Sequence, residues 1–526
     1  MSQNLVSINE ASKWASEYLS RDITSSNISY LIQYGKIKKH GDNGGTLVNI
    51  EDLKGYYKSF NGFREINWKR KLGQDLNWEL SFDHLREKDT TKHVHRLHPY
   101  KGKFIPQLVG YFIDDHTDNF KKKIYFSKGD IILDPFAGSG TTLVQGNELG
   151  MHSVGVDISR FNSLITEVKL NDYDFNSLEK EIEHIIYRIT TFETNENINN
   201  FERELYNKLY EFNSRFFPSP KFKYDLNKGV INENKYARIN EHEFLNIYNN
   251  LVKKYNIKLK QQFDKSFLDK WYIKNVRDEI DFAFSLVKKI KNRNNRRIIA
   301  VVLSRTIRSC RATTHSDLAT LIEPQLATYY CYKHKKICKP LFSIKYWFAR
   351  YANDTLSRLQ EFKKIKTNAR FSVISSDSRT VNIEEELKKR DKHLYEIFKK
   401  QKISGIFTSP PYVGQIDYHE QHAYAYDLFG FKRKDELEIG PLYKGQGEEA
   451  KKSYIEGISE VLLNCKKYLA DDFNILLVAN DKYNLYPRIA EKSGLKIINT
   501  FKRPVLNRTE RDKSPYSEII FHFKKK

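Results

Sequence analysis

Cysteine is scarce in this chain, with four residues among 526. Because a disulfide framework needs a much denser supply, the fold must be held together by a packed core. Long apolar runs are missing as well, and none approaches the roughly 18 residues of a membrane-spanning helix. No signal peptide precedes Ser2. We therefore expect a cytoplasmic protein without a membrane partner.

Acidic residues are outnumbered, with 66 Asp and Glu against 89 Lys and Arg, which gives a formal charge of +23. Such an excess favours a polyanionic partner, because each neutralised phosphate releases counterions. An AT-rich genome would also enrich a chain in Lys and Asn and is the alternative origin of this charge. The length is sufficient for about three domains.

A glycine-rich turn connects an apolar strand, residues 131–133, to a helical pattern that begins at residue 141. Gly138 and Gly140 have no Cβ, so the backbone can approach a ligand closely. The start of the helix offers free N–H groups to an anion. Asp157 ends the next strand, where a carboxylate can accept hydrogen bonds from ribose hydroxyls. The alternative is an ordinary turn of an α/β protein, with Asp157 as a helix cap.

A second apolar strand, residues 404–407, leads into Thr408-Ser409-Pro410-Pro411-Tyr412. The two prolines stiffen this loop by fixing φ. Rigid acceptors such as Ser409 Oγ and the Pro410 carbonyl, held beside an exocyclic amine, stabilise the positive charge that grows as the nitrogen attacks a methyl donor. Tyr412 offers a face on which an extruded base can stack. The alternative is a proline-rich turn without chemistry.

The two loops resemble those of S-adenosylmethionine (SAM)-dependent DNA amino-methyltransferases, the N4-cytosine and N6-adenine family of bacterial restriction-modification systems. The resemblance covers residues 95–165 and 370–526. It implies an α/β fold with a Rossmann-like sheet, SAM as the cofactor, and catalytic Ser409, Pro410, Pro411 and Tyr412. The implied cofactor-binding residues are Tyr100, Lys103, Phe104, Asp134, Pro135, Phe136, Gly138, Ser139, Gly140, Thr141, Thr142, Asp157, Ile158, Asp377 and Ser378.

The target atom follows less directly from the sequence. In this family Ser before the two prolines mostly accompanies methylation of cytosine N4, and Asp or Asn mostly accompanies adenine N6. We favour cytosine N4 and keep adenine N6 open. Methylation of cytosine carbon 5 needs a thiolate in a Pro-Cys dipeptide, and this chain contains none. Asp417 and Tyr418 are further candidates for lining the base pocket.

The first 62 residues have the pattern of a small helical unit. A capping box at Ser7 precedes one helix, a second helix is predicted from Thr24 to Gly35, residues 36–48 suggest a hairpin, and a further helix begins at residue 50. This order resembles the winged helix-turn-helix of excisionase and MerR-type proteins, which implies DNA contacts from Asn27, Tyr30, Lys36 and Lys38. A unit of this size can also serve protein contacts or regulation.

Residues 171–368 interrupt the predicted sheet and are too many for a loop. We interpret them as a mostly helical inserted domain, a target-recognition region or lid, with Arg305 and Arg308 as candidate DNA contacts. A late basic loop around Arg508 is a phosphate-contacting candidate or simply a solvated loop. The predicted domains are 1–62, the winged helix-turn-helix; 63–170, the first part of the methyltransferase; 171–368, the insertion; and 369–526, its second part.

Three of the four cysteines lie near one another in the chain. Cys331, His334 and Cys338 have short metal-type spacing, and Cys310 would complete a tetrahedral zinc site. The alternative is that reduced cysteines pack as small hydrophobic residues beside a basic helix. We favour the second interpretation and predict no metal.

The sequence thus predicts a site-specific DNA methyltransferase that acts on double-stranded DNA and protects it from a cognate restriction endonuclease. An RNA base methyltransferase would share both loops but would carry an RNA-binding module. A SAM-binding DNA regulator with an inactive catalytic domain is the non-enzymatic alternative, and the intact Ser409 and Tyr412 argue against it.

Overall fold

The computed structural model describes residues 4–19, 22–41, 45–58, 63–192, 196–262, 265–315, 323–506 and 514–526. These residues form two compact units. The first unit comprises residues 1–70, 191–280 and 310–344, and the second comprises residues 71–190, 281–309 and 345–526. Among the described residues, no helix combines the length and the hydrophobicity that crossing a membrane requires.

A seven-stranded, mostly parallel sheet forms the centre of the second unit, as expected for an α/β methyltransferase fold. Its strand order is β10-β11-β9-β8-β3-β4-β7, and β11 runs antiparallel to both of its neighbours. The strands among the described residues are β1 Leu5–Ser7, β2 Leu47–Asn49, β3 Ile131–Asp134, β4 His152–Asp157, β5 Tyr329–Cys331, β6 Lys336–Cys338, β7 Phe371–Ser375, β8 Ile403–Thr408, β9 Leu469–Ala479, β10 Leu495–Pro504 and β11 Ser517–Lys525.

The central strands are apolar on both faces because helices cover both sides. Ile131 and Leu133 of β3 belong to the core on one face, and Ile132 belongs to the core on the other. The helices of this unit are Glu87–Thr90, Pro106–Ile113, Thr141–Glu148, Arg160–Leu170, Arg293–Ser309, Lys345–Lys363, Ile383–Arg390, Lys392–Gln401, Tyr418–Gln421, Ala423–Phe429, Glu448–Lys466 and Tyr486–Lys492.

The polar ends of four parallel strands meet at one edge of this sheet. In the register, Asp134 of β3 lies opposite Gly155 of β4, and Asp157 of β4 lies opposite Ser375 of β7. Strand β8 pairs with the other side of β3 and ends at Thr408. The segments that follow β4 and β8 therefore lie on opposite sides of β3 at this carboxyl edge. Open α/β sheets bind their ligands at such a point.

Part of the predicted insertion belongs to the second unit rather than to a separate domain. Residues 171–190, 281–309 and 345–368 lie in the same unit as the sheet. The physical reason is packing, because the helix Arg293–Ser309 contacts both Arg160–Leu170 and Lys345–Lys363. The two compact units therefore divide the chain at positions other than 171 and 368, and the predicted domain boundaries stay a prediction.

The first unit is mostly helical and includes the N-terminal residues. The capping box of Ser7 with Glu10 and that of Thr24 with Asn27 both form. Strand β1 pairs with β2, and His40 forms an antiparallel bridge with Leu47. The helices that lie wholly within its residue ranges are Ile8–Leu19, Ser25–Gln33, Ile50–Lys58, Glu196–Phe216, Lys221–Asn227, Glu233–Lys254 and Phe267–Trp271. Three further helices have residues in the ranges of both units, and these are Phe63–Leu72, Phe175–Thr191 and Lys274–Lys289.

Candidate active site

The glycine-rich loop and the Ser-Pro-Pro-Tyr loop open into one cleft at the carboxyl edge of the sheet. The space between its lining side chains, with the open solvent at its mouth included, is about 860 Å³. The predicted residues that line it are Tyr100, Lys103, Phe104, Asp134, Pro135, Phe136, Gly138, Ser139, Thr141, Asp157, Ile158, Asp377, Ser378, Ser409, Pro411 and Tyr418.

A direct side-chain hydrogen bond joins the two loops. Thr408 Oγ1 donates to Asp134 Oδ1 over 2.6 Å, and the same carboxylate oxygen accepts from the Phe136 backbone N–H at 3.1 Å. Thr142 Oγ1 donates to the Phe407 carbonyl at 3.2 Å. Burial raises the pKa of Asp134 to about 6. Asp134 therefore ties the end of β8 to the turn after β3.

The turn after β3 needs glycine at two positions. Gly138 and Gly140 have φ of +50° and +78°, a region that L-residues rarely adopt. A Cβ on Gly138 would lie 3.1 Å from the Tyr100 hydroxyl, and one on Gly140 would lie 2.5 Å from Thr166 Cγ2. Gly138 thus leaves room for Tyr100 in the cleft, whereas Gly140 lets the loop pack on a neighbouring helix.

Asp157 lies at the centre of a hydrogen-bond network on the cleft wall. Its Oδ2 accepts from the Gly138 N–H at 2.7 Å, and its Oδ1 accepts from the Ser159 N–H at 2.8 Å and from Asn162 Nδ2 at 3.1 Å. Burial raises the pKa of Asp157 to about 6, against these hydrogen bonds, which lower it. Each oxygen of a carboxylate has two lone pairs, so Oδ2 can accept a second donor.

Aromatic rings form one side of the cleft. Tyr100 stacks on Tyr418, with ring centroids 6.0 Å apart, and on His422 at 5.7 Å. The Tyr100 hydroxyl accepts from Asn162 Nδ2 at 3.3 Å.

Lys103 also lines the cleft. Its Nζ donates to the His95 carbonyl at 2.7 Å, and burial lowers the pKa of Lys103 to about 8.

The proline-braced loop presents Ser409 and Pro411 to the cleft, while Pro410 is buried beneath them. Tyr412 packs against the core of the sheet, and its hydroxyl donates to Glu518 Oε1 of β11 at 2.9 Å. Burial and the Glu518 carboxylate raise the pKa of Tyr412 well above its usual range, so the hydroxyl keeps its proton. The ring of Tyr412 is thereby fixed in orientation.

Several residues of the cleft were not predicted from the sequence. Ser159 and Asn162 follow Asp157 at the start of a helix, so their proximity to the site was readable from spacing. Glu438 carried no such signal, because it belongs to no strand or motif. The buried Glu438 accepts from the backbone N–H of His419 at 2.8 Å and contacts the His419 ring. The additional lining residues are Gly102, Ala137, Ser159, Asn162, Leu437, Glu438, Ile439 and Val461.

Some predicted site residues have other places in the structure. Gly140, Thr142, Pro410, Tyr412 and Asp417 are not among the residues that line the cleft. Asp377 lines it, but its carboxylate also pairs with the Arg379 guanidinium at 2.6 Å, in a bidentate arrangement.

The predicted DNA contacts divide into exposed and buried groups. Asn27, Tyr30, Lys36 and Lys38 are exposed on the first unit. Arg305, by contrast, is buried in the second unit and donates to Asp354 Oδ2 at 2.7 Å. It therefore joins two helices of the second unit, and a contact between Arg305 and DNA stays a prediction. Arg308 is half-buried on the same helix, and Arg508 lies outside the described residues.

A mostly parallel sheet that carries a glycine-rich turn and a proline-braced loop in one cleft defines a methyltransferase-type α/β enzyme. The DNA methylase family (N6_N4_Mtase) matches residues 23–167. The Type II methyltransferase M.MjaII of Methanocaldococcus jannaschii is 48% identical over 527 residues, which span 99% of this chain and 97% of that protein.

Two further relatives match shorter parts. The Type II methyltransferase M.MvaI of Kocuria varians is 34% identical over 122 residues, 23% of this chain and 25% of that protein. The Type II methyltransferase M.BsoBI of Geobacillus stearothermophilus is 36% identical over 83 residues, 16% of this chain and 15% of that protein. The chain therefore belongs to the DNA methylase family and is a Type II DNA methyltransferase of the restriction-modification kind, a family that generally uses SAM.

Proposed function

We propose that this enzyme transfers a methyl group from SAM to the N4 amine of a cytosine extruded from double-stranded DNA, at a specific site, and so protects that DNA from a cognate restriction endonuclease. The observation that carries this proposal is the shared cleft, in which Asp134 hydrogen-bonds Thr408 and holds the glycine-rich turn beside Ser409.

The residues of the cleft fit SAM. The ligand carries a net positive charge, and Asp157 and Glu438 supply carboxylates along the lining, whereas the Asp377 carboxylate is paired with Arg379. Buried Ser139 Oγ and Asn162 Oδ1 have no hydrogen-bond partner among the described residues and remain available to a ligand. We assign the ribose hydroxyls to Asp157 and the adenine to the wall that includes Asp377 and Ser378.

The chemistry at the base depends on the proline-braced loop. When bound, SAM supplies an electrophilic methyl group. Ser409 Oγ and the Pro410 carbonyl accept hydrogen bonds from the target amine, draw its nitrogen towards sp3 geometry and stabilise its growing positive charge. Tyr412, oriented by Glu518, gives the extruded base a stacking surface. Extrusion is required because the amine is unreachable inside the duplex.

Nucleoside analysis tests the target atom. The purified enzyme is incubated with unmethylated genomic DNA and labelled SAM, and the digested nucleosides are separated by mass. We expect N4-methyldeoxycytidine. N6-methyldeoxyadenosine would replace the cytosine proposal by the adenine alternative, and label found only on added RNA would replace both. Methylation-sensitive sequencing of a host that expresses the gene then gives the recognition sequence.

We expect the affinity for SAM to fall as the pH drops below about 6. The pKa of Asp157 is raised to about 6, so its carboxylate is ionised above that pH and protonated below it. Ribose hydroxyls donate more strongly to the ionised form. If only that form binds, affinity falls by up to about tenfold per pH unit below the pKa. Calorimetric titration of SAM across this range measures the effect.

The matched variant for the pH experiment is Asp157→Asn, which keeps the shape and removes the titration. Its SAM affinity is expected to be weaker at neutral pH and nearly constant with pH. A pH dependence that persists unchanged in this variant would assign the titration to another group, of which Asp134 is the first candidate because burial raises its pKa to about 6 as well.

We assign DNA backbone contacts to the exposed lysines after the second N-terminal helix. Reversing the charge with Lys36→Glu and Lys38→Glu is expected to weaken DNA binding and to reduce the slope of log K against log salt by about two, since each phosphate contact contributes about 0.9. Lys388→Glu with Lys389→Glu is the control, because it makes the same charge change on exposed residues of the helix Ile383–Arg390. Equal losses of DNA affinity in the two double variants would show an effect of net charge. That result would contradict the assignment of phosphate contacts to Lys36 and Lys38.

A further inference from the structure

Two histidines and two cysteines of the first unit converge on one point. They are His315, Cys331, His334 and Cys338, and one potential ligand atom from each lies within 4.8 Å of all the others. Cys331 and Cys338 lie on the paired strands β5 and β6, and His334 lies in the turn between them. His315 comes from outside this hairpin and carries no spacing signal. Cys310 is not part of the cluster, since its buried thiol donates to the Ser343 carbonyl.

We propose that these four residues bind a structural Zn²⁺ ion. Two thiolates and two imidazoles are a preferred set of ligands for tetrahedral zinc. With Zn–S bonds of about 2.3 Å and Zn–N bonds of about 2.0–2.1 Å, a sulfur and a nitrogen ligand lie about 3.6 Å apart. The Cys338 Sγ to His334 Nδ1 distance is 3.5 Å, and the Cys331 Sγ to His315 Nδ1 distance is 3.8 Å.

The surroundings hold the ligands in place without the ion. The Tyr329 hydroxyl accepts from the His315 backbone N–H at 2.9 Å, which holds the backbone of that ligand. The same hydroxyl lies 2.7 Å from His315 Nδ1, a contact that would give way to the ion. Asn213 brackets the neighbouring Ile337 with two hydrogen bonds, to its N–H and to its carbonyl. Lys335 Nζ pairs with Glu233 at 2.6 Å and anchors the turn to a helix.

The ion would stabilise a hairpin that borders the N-terminal helices. Gln33, Tyr34, Lys223 and His334 line one pocket of this unit. Lys223 Nζ donates to the Gln33 carbonyl at 3.1 Å beside it. Binding releases the two thiol protons to solvent and leaves two thiolates that neutralise the charge of the ion. Fixing the hairpin thus fixes one wall of that pocket.

Metal analysis of the full chain, purified without an affinity tag, tests the proposal. We expect about one zinc per chain by mass spectrometry. Replacement by Co²⁺ is expected to give the visible bands of a tetrahedral ion together with thiolate charge transfer, and a chelator that removes the ion is expected to lower the unfolding temperature. Protein that is isolated without metal and takes up neither Zn²⁺ nor Co²⁺ would overturn the proposal, as would a Cys331–Cys338 disulfide.

The double variant Cys331→Ser with Cys338→Ser is expected to lose at least about nine-tenths of the metal, whereas Cys310→Ser, which alters a buried cysteine outside the cluster, is expected to keep it. Wild-type metal content in the double variant would refute the assignment. Should the double variant fail to fold, the cobalt spectrum of the unaltered chain decides, because the charge-transfer band reports thiolate ligation directly.

Discussion

Ser409→Ala is expected to lower kcat by about 10²- to 10³-fold, the usual effect of removing one preorganised polar group that stabilises charge in a transition state. Ser409 lines the cleft beside the glycine-rich turn, and in the proposed mechanism its hydroxyl accepts a hydrogen bond from the target amine. The SAM affinity is expected to stay within about twofold of the wild type, because the positive charge on the amine develops only during transfer. Single-turnover methylation and calorimetric binding measure the two quantities.

Ser404→Ala provides the control for this loss. It removes a hydroxyl from the same strand, β8, and we expect full activity from it. If kcat falls by less than about threefold in Ser409→Ala, the proposed hydrogen bond from the target amine to the Ser409 hydroxyl is refuted. A parallel fall in SAM affinity would instead assign Ser409 to the cofactor side of the cleft.

The sequence predicted the sheet edge correctly because its signals are local. An apolar strand followed at once by a polar or glycine-rich turn is visible within ten residues, and this pattern marked β3, β4, β7 and β8 together with the residues that follow them. Parallel strands place such turns along one edge, so the shared cleft follows from the topology. The direct bond between Thr408 and Asp134 joins residues 274 positions apart, and only the three-dimensional structure reveals it.

The parts that the sequence did not predict depend on contacts between distant segments. In the sequence, Arg305 is a candidate DNA contact because no acidic residue lies near it in the chain. In the structure it pairs with Asp354, which lies 49 residues away. Likewise, the helix Arg293–Ser309 lies within the long interruption but packs with the sheet unit, since its apolar positions are covered there. His315 joins the cysteine cluster although it lies 16 positions before Cys331 and outside the hairpin.

Tyr412→Ala is expected to lower kcat/KM by about 5- to 150-fold, because base–aromatic stacking contributes about 1–3 kcal/mol. Tyr412 does not line the cofactor cleft, so SAM binding is expected to persist. Tyr412→Phe keeps the ring and loses only the hydrogen bond to Glu518, and we expect a smaller loss from it. Thermal unfolding of both variants controls for the packing of Tyr412 against the core.

A mismatched target base separates the roles of Tyr412 and Ser409. Extruding a base that is already unpaired requires less energy, so a mismatch opposite the target is expected to restore part of the activity of Tyr412→Ala. The same mismatch is expected to leave the defect of Ser409→Ala unchanged, since that variant fails in the transfer step and not in extrusion. Equal rescue of both variants would place Ser409 in base extrusion, and no rescue of Tyr412→Ala would remove stacking as the function of its ring.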